Sequence, residues 1–285
     1  MSTATPDEST PADPAAAASA GTAQATQPAA FFDLDRTLVS GSSGFSILIE
    51  MTRAGIVSRR QLLRDAVVSA RFRLWGLDDA TTDAVRTRVG GYVRGVEQER
   101  LSDISTAVLE RVLPRIYPEV LDRAHAHQRR GEPVYLVTAS SQEFADLLAE
   151  VIELDGAVGT RSEIVDGRYT GNAGGPFIYG EAKVHAMEEL AAEHGLSLDT
   201  STAYSDSVSD LPMLRAVGHP VAVNPDRALR AVARREGWEV LSIDQLTRQV
   251  TAGTAAVVAL LAVSAAVRLL TGRQAPELTS RRRSS

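Results

Sequence analysis

The chain has 285 residues, contains no cysteine and carries a formal net charge of −6. This length can bury one large core or two smaller ones. The lack of cysteine excludes disulfides, thiolate catalysis and cysteine-ligated metal sites, and it fits a cytoplasmic catalytic portion. No basic stripe dominates the sequence, so nothing indicates a nucleic-acid partner.

The two ends of the chain differ in composition from the middle. Residues 1–28 are mostly Ala, Thr, Ser and Pro without a periodic apolar face, and we expect them to be disordered. Residues 250–270 are apolar over a length that can just span a bilayer of about 30 Å, and a basic tail, expected to be disordered, follows at 271–285. The flanking arginines favour a cytoplasmic C-terminus, which conflicts with one crossing from a cytoplasmic domain. We therefore predict a membrane-anchoring helix that either spans the bilayer or lies on its surface, with docking on a partner as the competing interpretation.

The first structured segment is predicted to be a short strand that ends at two acids. Phe31 and Phe32 lead directly into Asp33 and Asp35, a pattern typical of a buried strand that ends at a polar site. Alternate residues of an extended chain point the same way, so both carboxylates are expected to face one cavity. They repel each other unless a cation or a shared proton offsets the charge. A strand followed by an ordinary acidic turn is the alternative for this fragment alone.

The next part of the chain predicts a helical block. Residues 40–44, Ser-Gly-Ser-Ser-Gly, indicate a flexible hinge. Helical spacing of apolar residues then predicts helices at 45–53, 59–75, 78–89 and 96–113. A block of helices inserted straight after the first strand is expected to form a cap domain, residues 45–113, over the site.

From residue 117 onward helices and strands alternate. We predict helices at 118–130, 142–153, 180–194, 211–217 and 225–235, strands at 133–138, 202–205 and 220–223, and a hairpin at 164–169. This alternation predicts an α/β fold with a doubly wound, mostly parallel, Rossmann-like sheet. The catalytic core would comprise residues 29–44 and 114–245. The site of such a sheet lies beyond the carboxyl ends of its strands, where Asp33, Thr138 and Asp206 each fall.

Four pieces of the sequence together resemble a known family. Asp33-x-Asp35-x-Thr37, Thr138, Lys183 and Asp206-Ser-Val-Ser-Asp210 follow one another in the order found in the haloacid dehalogenase superfamily of aspartate-nucleophile phosphohydrolases. The resemblance covers about residues 29–244. The helical insert and the sequence DSVSDLPML at 206–214 are similar to the phosphoserine-phosphatase-like branch, subfamily IB.

The resemblance implies a magnesium-dependent phosphatase. Asp33 and Asp206 would donate carboxylate oxygens to Mg²⁺, and Asp35 its backbone carbonyl. Asp33 would attack phosphorus and form an aspartyl-phosphate intermediate. Asp35 would protonate the leaving oxygen and then draw a proton from the hydrolytic water. An acid two residues after the nucleophile suits phosphoryl transfer rather than dehalogenation.

The same resemblance assigns the remaining site residues. Thr138 and the backbone N–H groups after it, beginning with Ala139, would bind the phosphoryl oxygens. Lys183 would neutralise charge on the nucleophile and the phosphate. Asp210 would hold Lys183 or a metal-bound water. Each residue also has a plain alternative: Lys183 as a solvated helix lysine, Thr138 as an ordinary strand-end residue, and Asp206 and Asp210 as a helix cap with a first-turn acid.

The substrate is harder to predict. Phosphoserine phosphatases typically carry a glutamate for the substrate's ammonium group at the position of Ser42, and an asparagine at the position of Ser209. Arg86 resembles the cap arginine that holds a substrate carboxylate, although an exposed helix arginine is the alternative. We therefore predict a small phosphate monoester as substrate. The alternatives are a phosphorylated lipid or head group at a membrane, and a non-catalytic module that binds phosphorylated ligands.

Overall fold

The computed structural model describes residues 27–61, 87, 88 and 90–243. The described residues up to Leu241 belong to one compact unit. The predictions for the N-terminal tail up to residue 26, for Arg86, for the helices between 62 and 86, and for residues 250–270 and 271–285 lie outside the described residues. Among the helices that the structure does describe, none is long and apolar enough to cross a membrane.

A six-stranded sheet forms the centre of the molecule. Its strands are β1 (Ala30–Phe32), β2 (Val134–Ser141), β3 (Gly156–Thr160), β6 (Thr202–Ser205), β7 (His219–Val223) and β8 (Glu239–Leu241), and a separate hairpin consists of β4 (Ser162–Val165) and β5 (Arg168–Ala173). The order is β3-β2-β1-β6-β7-β8, and every neighbouring pair is parallel. The predicted parallel α/β sheet is confirmed, with β1 between β2 and β6.

Seven α-helices accompany these strands in the described part of the chain. They are α1 (Ser43–Arg53), α2 (Gln98–Val112), α3 (Pro118–Arg129), α4 (Gln142–Val151), α5 (Glu181–His194), α6 (Leu211–Arg215) and α7 (Arg227–Glu236). Local sequence accounts for several of their ends. Pro118 occupies the first turn of α3, where its missing N–H costs nothing. Gly195 and Gly237 end α5 and α7 in the left-handed conformation that glycine adopts without strain.

The two phenylalanines of β1 pack on opposite sides of the sheet. Phe31 belongs to a buried cluster with Met187 of α5, Met213 of α6 and Leu229 of α7. Phe32 stacks on Tyr204 with ring centroids 4.1 Å apart and contacts His127 of α3 edge-on. The strand is therefore buried on both faces, as expected for the centre of a parallel sheet, and its last residue leads straight into Asp33.

The chain after β1 differs from the extended segment that the sequence predicts. β1 ends at Phe32, and the backbone turns so that the N–H groups of Leu38 and Val39 both donate to the Leu34 carbonyl. The strand ends before the two acids, so the alternation of a continued strand is not what places them. That the carboxylates of Asp33 and Asp35 face one cavity stays a prediction, although Asp35 lies close enough to Asp33 to raise its pKa.

The predicted hinge at residues 40–44 is also partly wrong. Gly41 has a positive φ of 87°, in keeping with a turn. However, Ser43 is fully buried and begins α1, because the Ser42 side chain accepts a hydrogen bond from the N–H of Phe45 and caps the helix. Helices α1 and α2 agree with the helical character predicted for residues 45–113. The cap as a separate domain stays a prediction, as do the other domain boundaries.

Candidate active site

A buried lysine joins two carboxylates at the carboxyl end of β1. Asp33 follows the strand, and its N–H donates to the Tyr204 carbonyl of β6 at 3.0 Å. Nζ of Lys183 donates to Oδ1 of Asp33 at 2.6 Å and to Oδ2 of Asp210 at 2.8 Å. Ser205 Oγ donates to the same Asp210 oxygen at 2.8 Å. Residues far apart in the sequence thus converge on one point.

Lys183 is not a solvated helix lysine. It lies in the first turn of α5, is 2% exposed, and is the only lysine of the chain. Burial acts to lower the pKa of Lys183, but the carboxylates of Asp210 and Asp33 more than offset this effect and the pKa is raised. The amine is therefore protonated at neutral pH and supplies one fixed positive charge to the site.

Two buried carboxylates of the site, Asp33 and Asp206, are costly to ionise. Burial raises the pKa of Asp33 to about 6, although Lys183 opposes the shift. Burial also raises the pKa of Asp206 to about 8; the Arg36 guanidinium opposes this, and the nearby carboxylates of Asp33 and Asp210 add to it. More negative charge is buried here than these two cationic side chains offset.

Arg36 pairs with Asp206, a contact that the sequence did not indicate. Its guanidinium nitrogen lies 2.8 Å from Oδ2 of Asp206. The backbone of Arg36 has a positive φ of 64°, and its N–H donates to the Gly41 carbonyl. This left-handed turn after Asp35 directs a half-exposed side chain across to the next strand of the sheet.

Asp226 fixes the loop that carries Asp206. It caps α7 by accepting from the N–H of Leu229 at 2.7 Å, and it accepts from the N–H of Val208 at 3.0 Å. Its own N–H donates to the Asp206 carbonyl at 2.8 Å. Asp210 is accordingly more than the first-turn acid of the alternative interpretation, since its carboxylate bonds Lys183.

Asp35 is held differently from Asp33. Its Oδ1 accepts from the N–H of Ser43 at 2.7 Å and its Oδ2 from the Ser42 hydroxyl at 3.1 Å. Ser42, where the family pattern has a glutamate, therefore contacts the second acid of the motif. Asp35 nevertheless lies close enough to Asp33 to contribute to its raised pKa.

The predicted substrate-binding residues lie in β2 and in the loop after β6, the two strands that flank β1. Thr138 is buried within β2, and its Oγ1 accepts from the N–H of Ser140 at 3.1 Å. The Ala139 carbonyl accepts from Thr160 at 3.0 Å. Ser209 donates to the Ser207 hydroxyl at 3.0 Å within the loop after β6. Arg86 lies outside the described residues, so its predicted role stays a prediction.

The oxygen donors at this end of the sheet suit a hard cation such as Mg²⁺. The raised pKa of Asp206 reflects buried negative charge that a divalent cation would offset. Within the described ranges, however, no three His, Cys, Asp or Glu side chains are grouped so that they could hold a metal ion. Lys183 and Arg36 instead bond carboxylate oxygens of the predicted set. The donor chemistry fits Mg²⁺, and the ligand set Asp33, Asp35, Asp206 and Asp210 stays a prediction.

Sequence reasoning missed Arg36, Ser43, Ser140, Ser205 and Asp226. Two of these are within or adjacent to the motifs that were recognised: Arg36 lies inside the first motif, and Ser205 ends an apolar strand directly before Asp206, a signal that could have been used. Ser43 and Ser140 carry no local signal, because their contact joins residues 97 positions apart.

Comparisons with known proteins show the family of the chain. A family model described as haloacid dehalogenase-like hydrolase matches residues 30–215. The chain is 37% identical over 243 residues to a Mycobacterium tuberculosis protein named probable phosphatase, covering 84% of each. It is 34% identical over 248 residues to phosphoserine phosphatase SerB1 of the same organism, covering 86% of this chain and 80% of that protein. A solved phosphoserine phosphatase with bound substrate aligns with a TM-score of 0.58 over 79% of this chain and 98% of that chain. That structure is 18% identical and shows the fold alone.

The fold and the site define an α/β protein with an acidic centre at the carboxyl ends of the strands of a parallel sheet. The chain belongs to the haloacid dehalogenase-like hydrolases. It is a phosphatase of the phosphoserine-phosphatase-like kind, so the predicted family and enzyme class are confirmed.

Proposed function

We propose that the protein is a Mg²⁺-dependent phosphohydrolase that cleaves a small phosphate monoester through an aspartyl-phosphate on Asp33. The observation that carries this proposal is the bonding of Lys183 to both Asp33 and Asp210 in a buried position at the end of β1. A structural ion pair would need one acid. A lysine held by two buried acids keeps its positive charge fixed next to Asp33, where it can also contact a phosphoryl group.

In the proposed reaction Asp33 supplies the attacking oxygen. Its backbone is fixed by the bond to Tyr204, and its carboxylate is oriented by Lys183, so little motion is needed before attack. Lys183 offsets charge that the phosphoryl group brings next to an anionic nucleophile. Mg²⁺, held by Asp33, Asp206 and the carbonyl of Asp35, would add further positive charge at the transferring phosphoryl group.

Asp35 would act as the general acid and then as the base. It would give its proton to the leaving oxygen as the bond from that oxygen to phosphorus breaks. In the second step it would take a proton from the water that attacks the phosphorus of the aspartyl-phosphate, which releases inorganic phosphate and restores Asp33. Thr138 and the N–H groups after it would hydrogen-bond the phosphoryl oxygens.

Phosphoserine itself is expected to be a poor substrate. Recognition of its ammonium group favours a carboxylate, and the position that would supply one in the family pattern is Ser42, whose hydroxyl bonds Asp35. A buried ammonium without a charged partner loses about 1.5–3 kcal/mol of binding. The name of the relative SerB1 makes phosphoserine the first compound to test against this expectation.

The experiment is a panel of phosphate monoesters assayed for phosphate release with Mg²⁺ and with EDTA. The control variant is Asp33→Asn, which keeps the size of the side chain and one acceptor oxygen but removes the nucleophile. We expect turnover that requires Mg²⁺ and disappears in the variant. Turnover that survives the substitution would remove Asp33 from its proposed role.

We also propose that residues 250–270 anchor this phosphatase to a membrane, on the strength of their apolar sequence and flanking arginines. Liposome flotation of the full chain and of a chain ending at residue 245 tests this. The full chain should float and the shorter chain should not; two forms that both stay in solution would reject the anchor.

A further inference from the structure

The first residues of α1 determine how the Asp35 carboxyl group points. One oxygen accepts from the backbone N–H of Ser43 and the other from the Ser42 hydroxyl. The first N–H groups of a helix have no partner inside the helix, and a carboxylate is a favourable acceptor for them. The position of the acid is therefore set by α1 and not by the strand that precedes Asp35 in the chain.

Ser43 makes a second contact on its other side. Its side chain is fully buried, and its Oγ lies 2.6 Å from Oγ of Ser140. The N–H of Ser140 in turn donates to Oγ1 of Thr138 at 3.1 Å. One buried serine thus connects the acid of the first motif with strand β2, which carries the predicted phosphate-binding threonine.

We propose that Ser43 is a positioning residue that holds Asp35 in line with the leaving oxygen of a phosphate ester bound at Thr138. The inference rests on the proposed function, in which Asp35 protonates that oxygen. The backbone N–H of Ser43 sets the direction of the Asp35 carboxyl group. The Ser43 hydroxyl bonds Ser140 and so fixes that direction relative to the bound phosphate. A general acid must lie within hydrogen-bond reach of the atom it protonates, so a displaced Asp35 transfers its proton poorly.

The leaving group provides a readout that a purely structural role would not change. Phenolate is a strong base and must be protonated as it departs, whereas 4-nitrophenolate departs as a stable anion. Loss of positioning therefore lowers kcat/KM for phenyl phosphate more than for 4-nitrophenyl phosphate. A variant with a smaller folded fraction loses both activities by the same factor.

The structure offers a substitution that removes the N–H of Ser43 without ending the helix. Ser43 is the first residue of α1, a position where proline is well tolerated. Ser42 has φ −114° and ψ 129°, which lies in the range allowed before proline. Ser43→Pro replaces the donated hydrogen with a ring carbon and displaces the Asp35 carboxylate.

Two further variants separate the hydroxyl contact from the N–H contact. Ser43→Ala and Ser140→Ala each remove the bond between the two hydroxyls and keep the N–H to Asp35. Ser105→Ala is the matched control, because Ser105 is also a buried helix serine but donates to the Leu101 carbonyl of its own helix. Asp35→Asn shows how the two substrates respond when the acid itself is lost.

The measured quantity is the ratio of kcat/KM for phenyl phosphate to that for 4-nitrophenyl phosphate. Ser43→Pro should lower this ratio about tenfold or more, toward the Asp35→Asn value. The two alanine variants should lower it by about threefold, and combining them should lower it no further, because both remove the same bond. Ser105→Ala should leave it unchanged.

An unchanged ratio in folded Ser43→Pro, with a lowered ratio in Asp35→Asn, would overturn the inference and leave the proposed function intact. If Ser43→Pro does not fold by circular dichroism, unchanged ratios in both alanine variants would overturn it instead. Turnover that survives Asp33→Asn, or a wild-type ratio in Asp35→Asn, would reject the proposed function and with it the role of Ser43.

Discussion

The choice of lysine at position 183 follows from the geometry of its two partners. The chain uses arginine for every other basic residue outside histidine, yet the buried cation of the site is a lysine. An ammonium group is a compact charge whose three hydrogens can bond Asp33 and Asp210 together, whereas a planar guanidinium is larger and binds one carboxylate in a fixed fork.

Lys183→Arg is therefore expected to be as harmful as Lys183→Met. Both should lower kcat/KM by about a hundredfold or more, since each removes a charge or displaces it from the phosphoryl group. Circular dichroism establishes that the variants fold. Arg215→Ala, which breaks an exposed pair with Glu236, is the control and should retain activity. An arginine variant with wild-type kcat/KM would contradict this explanation.

Arg36 competes with any cation that binds Asp206, because its guanidinium already bonds one oxygen of the Asp206 carboxylate. The side chain is half exposed, so the pair is worth at most about 1 kcal/mol. Arg36→Ala should then tighten Mg²⁺ binding by up to about fivefold, measured by isothermal titration calorimetry. Arg215→Ala should leave the Kd unchanged. Weaker Mg²⁺ binding in Arg36→Ala would show that the arginine assists the cation rather than opposing it.

Among the elements, α3 is joined to the sheet by a buried histidine. The His127 ring packs edge-on against Phe32 and Tyr204, and its Nε2 lies 2.8 Å from the Tyr204 hydroxyl. Burial lowers the pKa of His127 below its usual 6.5, although a hydrogen bond with Glu132 opposes the shift, and the neighbouring positive charges of Arg130 and Arg123 lower it further.

The lowered pKa makes folding stability depend on pH. The unfolded chain binds a proton to His127 more readily than the folded chain does. The contribution of neutral His127 to folding stability is therefore complete above pH 6.5, and it is lost as the pH falls toward the pKa of His127 in the folded protein. Urea denaturation between about pH 8 and about pH 5 should show a steeper loss of stability in the wild type than in His127→Gln. Equal slopes of the unfolding free energy against pH in the two proteins would contradict the assignment of this pH dependence to His127.

The hairpin formed by β4 and β5 contacts the helical residues 90–93, where Gly171 of the hairpin lies against Gly90. A Cβ added at Gly90 would overlap the carbonyl oxygen of Gly171, whereas one added at the neighbouring Gly91 would meet no atom within 4 Å. Gly90→Ala should therefore destabilise the protein by about 1–3 kcal/mol. Gly91→Ala should be neutral or stabilise by up to about 1 kcal/mol. Thermal denaturation of the pair tests the contact, and similar effects of the two substitutions would refute it.

For the molecule as a whole, the sequence predicted the central strands β1, β2, β6 and β7. These predictions succeeded because β2, β6 and β7 contain apolar runs that end at polar residues. The outer strands were missed. β3 reads Gly-Ala-Val-Gly-Thr and lacks a run of β-branched residues, and β8 is a three-residue strand at the edge of the sheet.

The details within the site were less predictable, because they depend on contacts between distant residues. The turn after Phe32 separates the partners of Asp33 from those of Asp35, and no local pattern distinguishes this turn from a continued strand. Likewise, the Ser42–Ser43 segment resembles a flexible linker by composition, and only its bonds to Asp35 and Ser140 make it an ordered helix start.

The central claim is that Asp33 becomes phosphorylated during turnover. The Asp35→Asn variant should accumulate the aspartyl-phosphate with 4-nitrophenyl phosphate, because this substrate needs no acid in the first step and the variant lacks the base of the second. Acid quenching and borohydride reduction convert a phosphorylated aspartate to homoserine, which tandem mass spectrometry locates. We predict homoserine at position 33 alone. Release of 4-nitrophenol with homoserine at another aspartate, or at none, would contradict the account.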